Sequence, residues 1–276
     1  MNRQEKQVKN VLTIAGSDSV GGAGIQADIK TIFSLGLYAC SAVTAVTAQN
    51  TCGVRSIQAV DSNILYDQIS AVLQDIAVDA VKIGMIYTKE NVTAIKNALK
   101  DNHYNHYIVL DPVLVATSGD SLAKEDFLQA LKTELFPICD ILTPNLSEAM
   151  TVCVREINNT EDMVACGKDI IKTYGVKNVL IKGGHAKDDN MTDVLVKEDM
   201  TYKTFTAKKI DSKNTHGTGC TLSSAIASYL AMDLSMEDSV KHAKDYVYNA
   251  ILAAKDYSIG HGHGSTNHFW NFQTGI

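Results

Sequence analysis

The run Asn214-Thr215-His216-Gly217-Thr218-Gly219-Cys220-Thr221 carries the strongest chemical signal in the chain. It leads straight into an apolar helical pattern at Leu222, Ile226, Tyr229 and Leu230. Successive backbone N–H groups of Gly217, Thr218, Gly219 and Cys220 at a helix N-terminus form an anion hole, aided by the helix dipole. Such a hole stabilises the charge that develops on a transferring phosphoryl group. A merely structural helix start rarely needs two glycines flanking a threonine.

Five other segments hold polar groups at the ends of apolar runs. Gly16-Ser17-Asp18-Ser19-Val20-Gly21-Gly22-Ala23-Gly24 permits a tight turn and close approach of a ligand to backbone N–H groups. A P-loop would need lysine where Gly22 stands, so that reading fails. A dinucleotide fingerprint would need an acidic residue about 20 positions on. The segment 41–50 has none. A glycine-rich turn without a ligand is the plainer alternative. Gln49, in Ala48-Gln49-Asn50-Thr51, offers a donor and an acceptor together, which suits the edge of an aminopyrimidine or pyridine ring. A turn-forming Gln-Asn pair fits the same residues.

Asp111 ends one apolar run, and Glu148 stands one helical turn after another. Together they could hold magnesium, directly or through waters. Asn145 with Glu148 three residues on also reads as a capping box, which does not exclude the metal role. Lys182, followed by Gly183-Gly184-His185, is either a phosphate contact or a plain lysine at a strand exit.

These residues need a scaffold that brings strand ends together. Buried strands are expected at 11–15, 41–46, 54–60, 80–84, 107–111, 140–143 and 179–182, with a hairpin at 191–196 and 202–206. Helices are expected at 23–35, 63–76, 89–99, 218–230 and 236–255. Strand–helix alternation argues for a mostly parallel sheet covered by helices on both faces. Ligands then bind outside the carboxyl ends of the strands. No linker, repeat or low-complexity tract divides the 276 residues, so one domain over 1–276 is expected.

Lys and Arg number 25 against 31 Asp and Glu, a net charge of −6. That argues against a nucleic-acid or anionic-membrane partner and leaves room for a small anionic substrate. No signal peptide or membrane span is visible. The six cysteines form no C-x-x-C pair or zinc spacing, so reduced thiols in a cytoplasmic protein are expected. His261, His263 and His268 lack metal-site partners and read as a mobile tail or substrate-side loop. Tyr246, Tyr248 and Tyr257 read as packing or interface residues.

Taken together, the motifs resemble the ribokinase-like superfamily and, within it, the hydroxymethylpyrimidine/phosphomethylpyrimidine kinases of thiamine biosynthesis. The resemblance runs from Val11 to about Phe272. It rests on residues 12–18, 21–28, 48–51, 82–85, 111–113, 143–149, 182–185 and 214–221, with Gly260-His261-Gly262 and His268-Phe269 at the end. It implies a three-layer α/β/α fold with a central mostly parallel sheet flanked by helices, and a homodimer. It implies ATP- and Mg2+-dependent phosphorylation of 4-amino-5-hydroxymethyl-2-methylpyrimidine, then of its monophosphate. Gln49 matches the pyrimidine-reading position, and Gly16, Ala23, Asp28, Met85 and Val113 match the lining of that pocket. Asn145 and Glu148 match the superfamily's magnesium-associated N-x-x-E motif; Asp111 and Glu148 are expected at the metal, and Lys182, Asn145 and Thr215 at the nucleotide.

Most of the superfamily ends the anion-hole motif with an aspartate base. This chain has Cys220, as this kinase family does. A helix N-terminus lowers a thiol pKa, so Cys220 is a candidate thiolate base. Thr117-Ser118-Gly119-Asp120 is a candidate lid. A pyridoxal kinase on the same fold is the nearest alternative, although some of that clade carry a lid cysteine where this chain has Ala116. A silent ligand-binding protein on the fold is a further one.

Overall fold

The computed structural model describes residues 8–114, 125–183 and 190–272. The first half runs β1 (Asn10–Ser17), α1 (Gly24–Ser34), β2 (Tyr38–Asn50), β3 (Gly53–Ala59), α2 (Ser62–Asp75), β4 (Ala80–Ile83), α3 (Lys89–Asp101) and β5 (Tyr107–Leu110). The second runs α4 (Glu125–Ala130), β6 (Ile141–Leu142), α5 (Leu146–Cys153), α6 (Thr160–Tyr174), β7 (Val179–Ile181), β8 (Asn190–Val196), β9 (Tyr202–Lys208), α7 (Thr218–Ala231) and α8 (Met236–Ala254).

The strands form one sheet in the order β3-β2-β1-β4-β5-β6-β7-β8-β9. From β2 to β7 every pairing is parallel. The outer pairings, β2 with β3, β7 with β8 and β8 with β9, are antiparallel. The central strands lack alternation because both of their faces are covered. Residues 11–16 of β1 and all of β4 and β7 are buried.

Successive side chains of β1 enter opposite cores. Val11 packs with Ile32, Leu222, Ile226 and Tyr246, under α1, α7 and α8. Leu12 and Ile14 pack with Ile69, Ile95, Val152 and Ile170, under α2, α3, α5 and α6. The result is the expected three-layer α/β/α arrangement. Helix starts are capped as their sequences suggest: Asp61, Thr88, Asn159 and Ser235 each accept from a first-turn N–H. No described helix is long and apolar enough to cross a membrane.

Three findings differ from the sequence reading. Strand β2 is longer than expected because its end carries the β2–β3 hairpin. Helix α5 was anticipated only through its capping box and α6 not at all, although Met163, Cys166, Gly167, Ile170 and Ile171 line the buried face of α6 at helical spacing. Finally, Cys153 and Cys166 form a disulfide between the end of α5 and α6, where reduced thiols were expected. Packing of α5 on α6 brings their Cα atoms to 6.0 Å, a juxtaposition no local spacing encodes. Cys40, Cys52, Cys139 and Cys220 are free.

Candidate active site

Parallel pairing sets the carboxyl ends of β1, β2, β4, β5, β6 and β7 along one edge. Gly16, Gln49, Met85, Asp111, Asn145 and Lys182 therefore gather there. The chain leaves β1 for β2 on one side and reaches β4 on the other, so Gly16 and Met85 border a topological switch point. The ends of β1 and β4 approach so closely that a Cβ at Gly16 would overlap the Met85 methyl.

The loop after β1 is built around Asp18. Its carboxylate accepts from the N–H groups of Val20, Gly22 and Ala23 at 2.9 to 3.0 Å and pairs with His216 Nε2 at 2.9 Å. Burial works to raise the Asp18 pKa, but His216 and the loop amides outweigh it and hold the carboxylate below its usual range. Facing this loop is the start of α7. Gly217 caps it at φ +81°, and a Cβ there would run into the Gly22 carbonyl. The Gly24 N–H donates to Cys220 Sγ at 3.4 Å. Two motifs almost 200 residues apart are thus one packed unit.

The first intrahelical bond of α7 runs from the Thr221 N–H to the Gly217 carbonyl, and the Thr218 N–H turns back to Thr215. The Gly219 and Cys220 amides have no acceptor within the helix. Beside them, Lys182 Nζ donates to Asp111 Oδ1 at 2.8 Å. A Cβ on Gly219 would lie 3.4 Å from that ammonium and 3.3 Å from Asp111 Oδ2. Glu148 closes the cluster. Burial pushes its pKa up to about 7, Lys182 opposes that and Asp111 adds to it. For Lys182, burial favours the neutral amine, but Asp111 and Glu148 prevail and keep it a cation. Two helix-start amides without an acceptor among the described residues, together with a lysine, are suited to a nucleotide's phosphates, and the two carboxylates to a cation carried with them.

The sequence profile of the phosphomethylpyrimidine kinase family matches residues 18–267. The chain belongs to that family.

Among relatives of this family member is the hydroxymethylpyrimidine/phosphomethylpyrimidine kinase of Rhizobium meliloti. It is 45% identical over 258 residues, which are 94% of this chain and 96% of that protein. The crystal structure of a phosphomethylpyrimidine kinase from Clostridium difficile 630 superposes with a TM-score of 0.78 at 41% identity, over 88% of this chain and 99% of that one. The pyridoxal kinase of Staphylococcus aureus, in complex with AMP-PCP and pyridoxal, gives 0.85 at 31% identity, over 96% and 94%.

Within this family member, some expected site residues sit elsewhere than on a pocket wall. Asp28 is fully buried, and its carboxylate is engaged by Lys82, Thr13 and Ser224. It lies beneath the pocket because α1 turns it into the sheet. Ala23, Met85, Val113 and Gln49 remain half-buried at the edge. Thr215 is exposed, and its carbonyl receives the Thr218 hydroxyl at 2.6 Å. Asn145 and Glu148 form the expected capping box, at 2.8 and 2.9 Å.

Cys220 corrects the thiolate expectation. Burial pushes its pKa up to about 11 and outweighs the pull of Lys82, with Asp28 and Asp111 adding to the rise. The candidate lid 117–120, Ala116 and Gly184-His185 lie outside the described residues.

Lys82 and His216 were missed as site residues. Lys82 lies in a buried strand run, and nothing local shows that its ammonium lies under the anion hole. His216 stood inside the strongest motif, but its partners Asp18 and Gln49 are remote in sequence. Of the C-terminal histidines, His261 and His263 lie in a loop anchored to Thr51, just past the end of β2. His261 and Gly262 N–H groups donate to Thr51 Oγ1, and His263 N–H to the Thr51 carbonyl. His268 is buried against Thr221 at 3.0 Å, and its pKa falls to about 4 through burial, then Lys30. Tyr246 packs in the core and donates to the His268 carbonyl, as a packing residue should.

Among the described residues no three ligating side chains form a metal cage. Magnesium carried on a nucleotide needs none, because it keeps waters and takes one or two carboxylates plus phosphates. Glu148 and Asp111 Oδ2 fit that donor set.

Proposed function

We propose that this enzyme transfers a phosphoryl group from ATP to the hydroxymethyl oxygen of 4-amino-5-hydroxymethyl-2-methylpyrimidine, and then a second to the monophosphate. The pathway served is thiamine biosynthesis. The observation that carries this reading is the Gly24–Cys220 contact, which packs the loop after β1 against the amide hole. A ring held between Gln49, Gly16, Ala23, Met85 and Val113 then points its hydroxymethyl group at the hole.

Lys182 and the Gly219 and Cys220 amides receive the phosphates and the charge that develops during transfer. Asp111 and Glu148 would hold magnesium, directly or through waters, and the ion would neutralise phosphate charge. Asn145 sets the position of Glu148 through the capping box. Thr215 and Thr218 shape the turn before the hole.

A neutral thiol at Cys220 suits both acceptors. The second acceptor is a phosphomonoester, whose second pKa near 6 leaves it ionised at neutral pH. It needs no base, and an aspartate in place of Cys220 would repel it. The protein is expected to act as a cytoplasmic homodimer, which light scattering checks for its assembly state.

The test is an ATP-consumption assay with mass detection of products, offering hydroxymethylpyrimidine, its monophosphate and pyridoxal side by side. Formation of the pyrimidine diphosphate supports the two-step reading. Pyridoxal phosphate as the main product, with no diphosphate, overturns the substrate assignment.

A further inference from the structure

The His216 ring lies between the loop after β1 and the end of β2. Its position is set by packing: a Cβ at Gly22 would stand 2.6 Å from His216 Cδ2. Its backbone N–H is tied to the Gly264 carbonyl at 3.0 Å. The ring is nearly buried, and its Nε2 faces two partners, Asp18 Oδ2 at 2.9 Å and the amide end of Gln49 assigned as Nε2 at 3.2 Å.

The chemistry of these partners fixes more than distance. Asp18 already accepts from three loop amides, as an ionised carboxylate does. An ionised carboxylate can only accept, so the hydrogen belongs on His216 Nε2. The Gln49 atom facing that N–H must then be an acceptor. The two ends of an amide are alike in shape, and only hydrogen-bond partners distinguish them. With its nitrogen toward His216, the amide would set two donors face to face. With Oε1 there, it shares the His216 hydrogen with Asp18.

The other end of the amide demands the same orientation. Thr47 Oγ1 lies 3.4 Å from that end, assigned as Oε1. The Thr47 hydroxyl spends its hydrogen on the Ser17 carbonyl at 2.8 Å, so toward Gln49 it can only accept. It therefore calls for the amide nitrogen. Two independent neighbours select one orientation. In that orientation one lone pair of Oε1 and one N–H of Nε2 remain for a ligand, since an amide has two of each.

We propose that His216 is a specificity-determining positioning residue: held as the Nε2–H tautomer by Asp18, it locks the Gln49 amide with Oε1 beside His216 and Nε2 beside Thr47. The pocket then reads a ring edge in one order. An exocyclic amine meets Oε1 and the neighbouring ring nitrogen accepts from Nε2, the bidentate pattern an amide makes with an aminated ring. An edge with an oxo group beside a ring N–H presents the reverse order. It meets like against like and is rejected. This inference rests on the aminopyrimidine reading given above for its ligand, but not for its tautomer.

Two measurements test it. The first compares kcat/KM for 5-hydroxymethyl-2-methylpyrimidines carrying a 4-amino or a 4-oxo group. Wild type should favour the amine by about 100-fold or more, the size expected when buried polar groups are mismatched. In His216→Phe, which keeps a ring and loses the donor, the amide is free to turn, and the preference should fall by about 10-fold or more. His216→Gln, which restores an N–H, should recover most of it. A purely structural role lowers both substrates together and leaves their ratio unchanged, which would overturn the proposal.

The second measurement is long-range 15N–1H NMR of the His216 ring in the free wild-type protein, which depends on neither variant nor substrate. Hydrogen on Nε2 is expected, and an Nδ1–H tautomer overturns the lock. If wild type phosphorylates neither pyrimidine, the substrate reading fails and with it the ring edge assigned here. The tautomer result still decides the lock.

Discussion

The ammonium of Lys82 donates to both carboxylate oxygens of Asp28, at 2.9 and 2.8 Å, and neither side chain has any exposed surface. Burial favours the neutral amine, and Asp28, with Asp111 beyond it, more than reverses this to keep Lys82 charged. Thr13 and Ser224 hydroxyls complete the shell of Asp28. The pair ties α1 and β4 to α7 directly below the anion hole.

Breaking a buried pair from one side leaves a stranded charge. Lys82→Met is expected to cost about 3–5 kcal/mol of unfolding free energy. Lys82→Met combined with Asp28→Asn should cost clearly less than the two single losses added. Urea denaturation of the three variants measures this, and strict additivity would show that the charges do not act as a pair.

The raised pKa of Glu148 has a definite sign. It is pushed up to about 7, mainly by burial, from an ordinary value of 4.5. The folded protein therefore holds a proton that the unfolded chain has lost between these values. Stability from this group is full below the lower value and declines as pH rises through about 7. Below pH 7 the neutral acid is a poor partner for magnesium. The Mg2+ concentration giving half-maximal activity should rise as pH falls from 8 to 6. Glu148→Gln should flatten that dependence and gain stability, relative to wild type, at the upper end of the range.

Cys220 should resist alkylation. Iodoacetamide at pH 7.5 should modify exposed Cys52 and leave Cys220 untouched, because a thiol whose pKa is about 11 holds almost no thiolate there. Peptide mass mapping reads this out. Cys220→Asp should harm phosphorylation of the monophosphate more than that of the alcohol, because only the former brings a dianion to the new carboxylate. Equal losses in both steps would count against the neutral-thiol argument.

The Cys153–Cys166 disulfide spans 13 residues of sequence. Closing a loop of about that length stabilises by about 3 kcal/mol in the chain-entropy account. Reduction should lower the urea midpoint accordingly and add two alkylated cysteines. An unchanged midpoint after complete reduction would show that packing of α5 on α6 already supplies the constraint.

Much of the scaffold was legible because the central strands are short apolar runs stopped by Gly or Pro, as at Gly84, Pro112 and Pro144. The periods of α1, α2, α3, α7 and α8 were legible for the same reason, a buried stripe. Helix α6 carried an equally good stripe, so its omission was a missed pattern rather than a hidden one. Within the site, backbone-built features such as the 217–220 hole could be read directly. Side-chain pairings could not. Asp28 reads as pocket lining beside its motif neighbours, yet the turn of α1 aims it inward. Lys82, His216 and the disulfide each depend on a partner at least 13 positions away.

The loop 261–265 is anchored to Thr51 at one end and, through Gly264, to His216 at the other. It leaves the ribosome after every strand of the sheet, whereas the edge it borders begins with β1, the first of them. The nascent chain can build its sheet as it emerges, but that edge is closed only once residues 261–265 have been made. A prematurely terminated product would fold around its core and yet lack a closed pocket in which to bind anything.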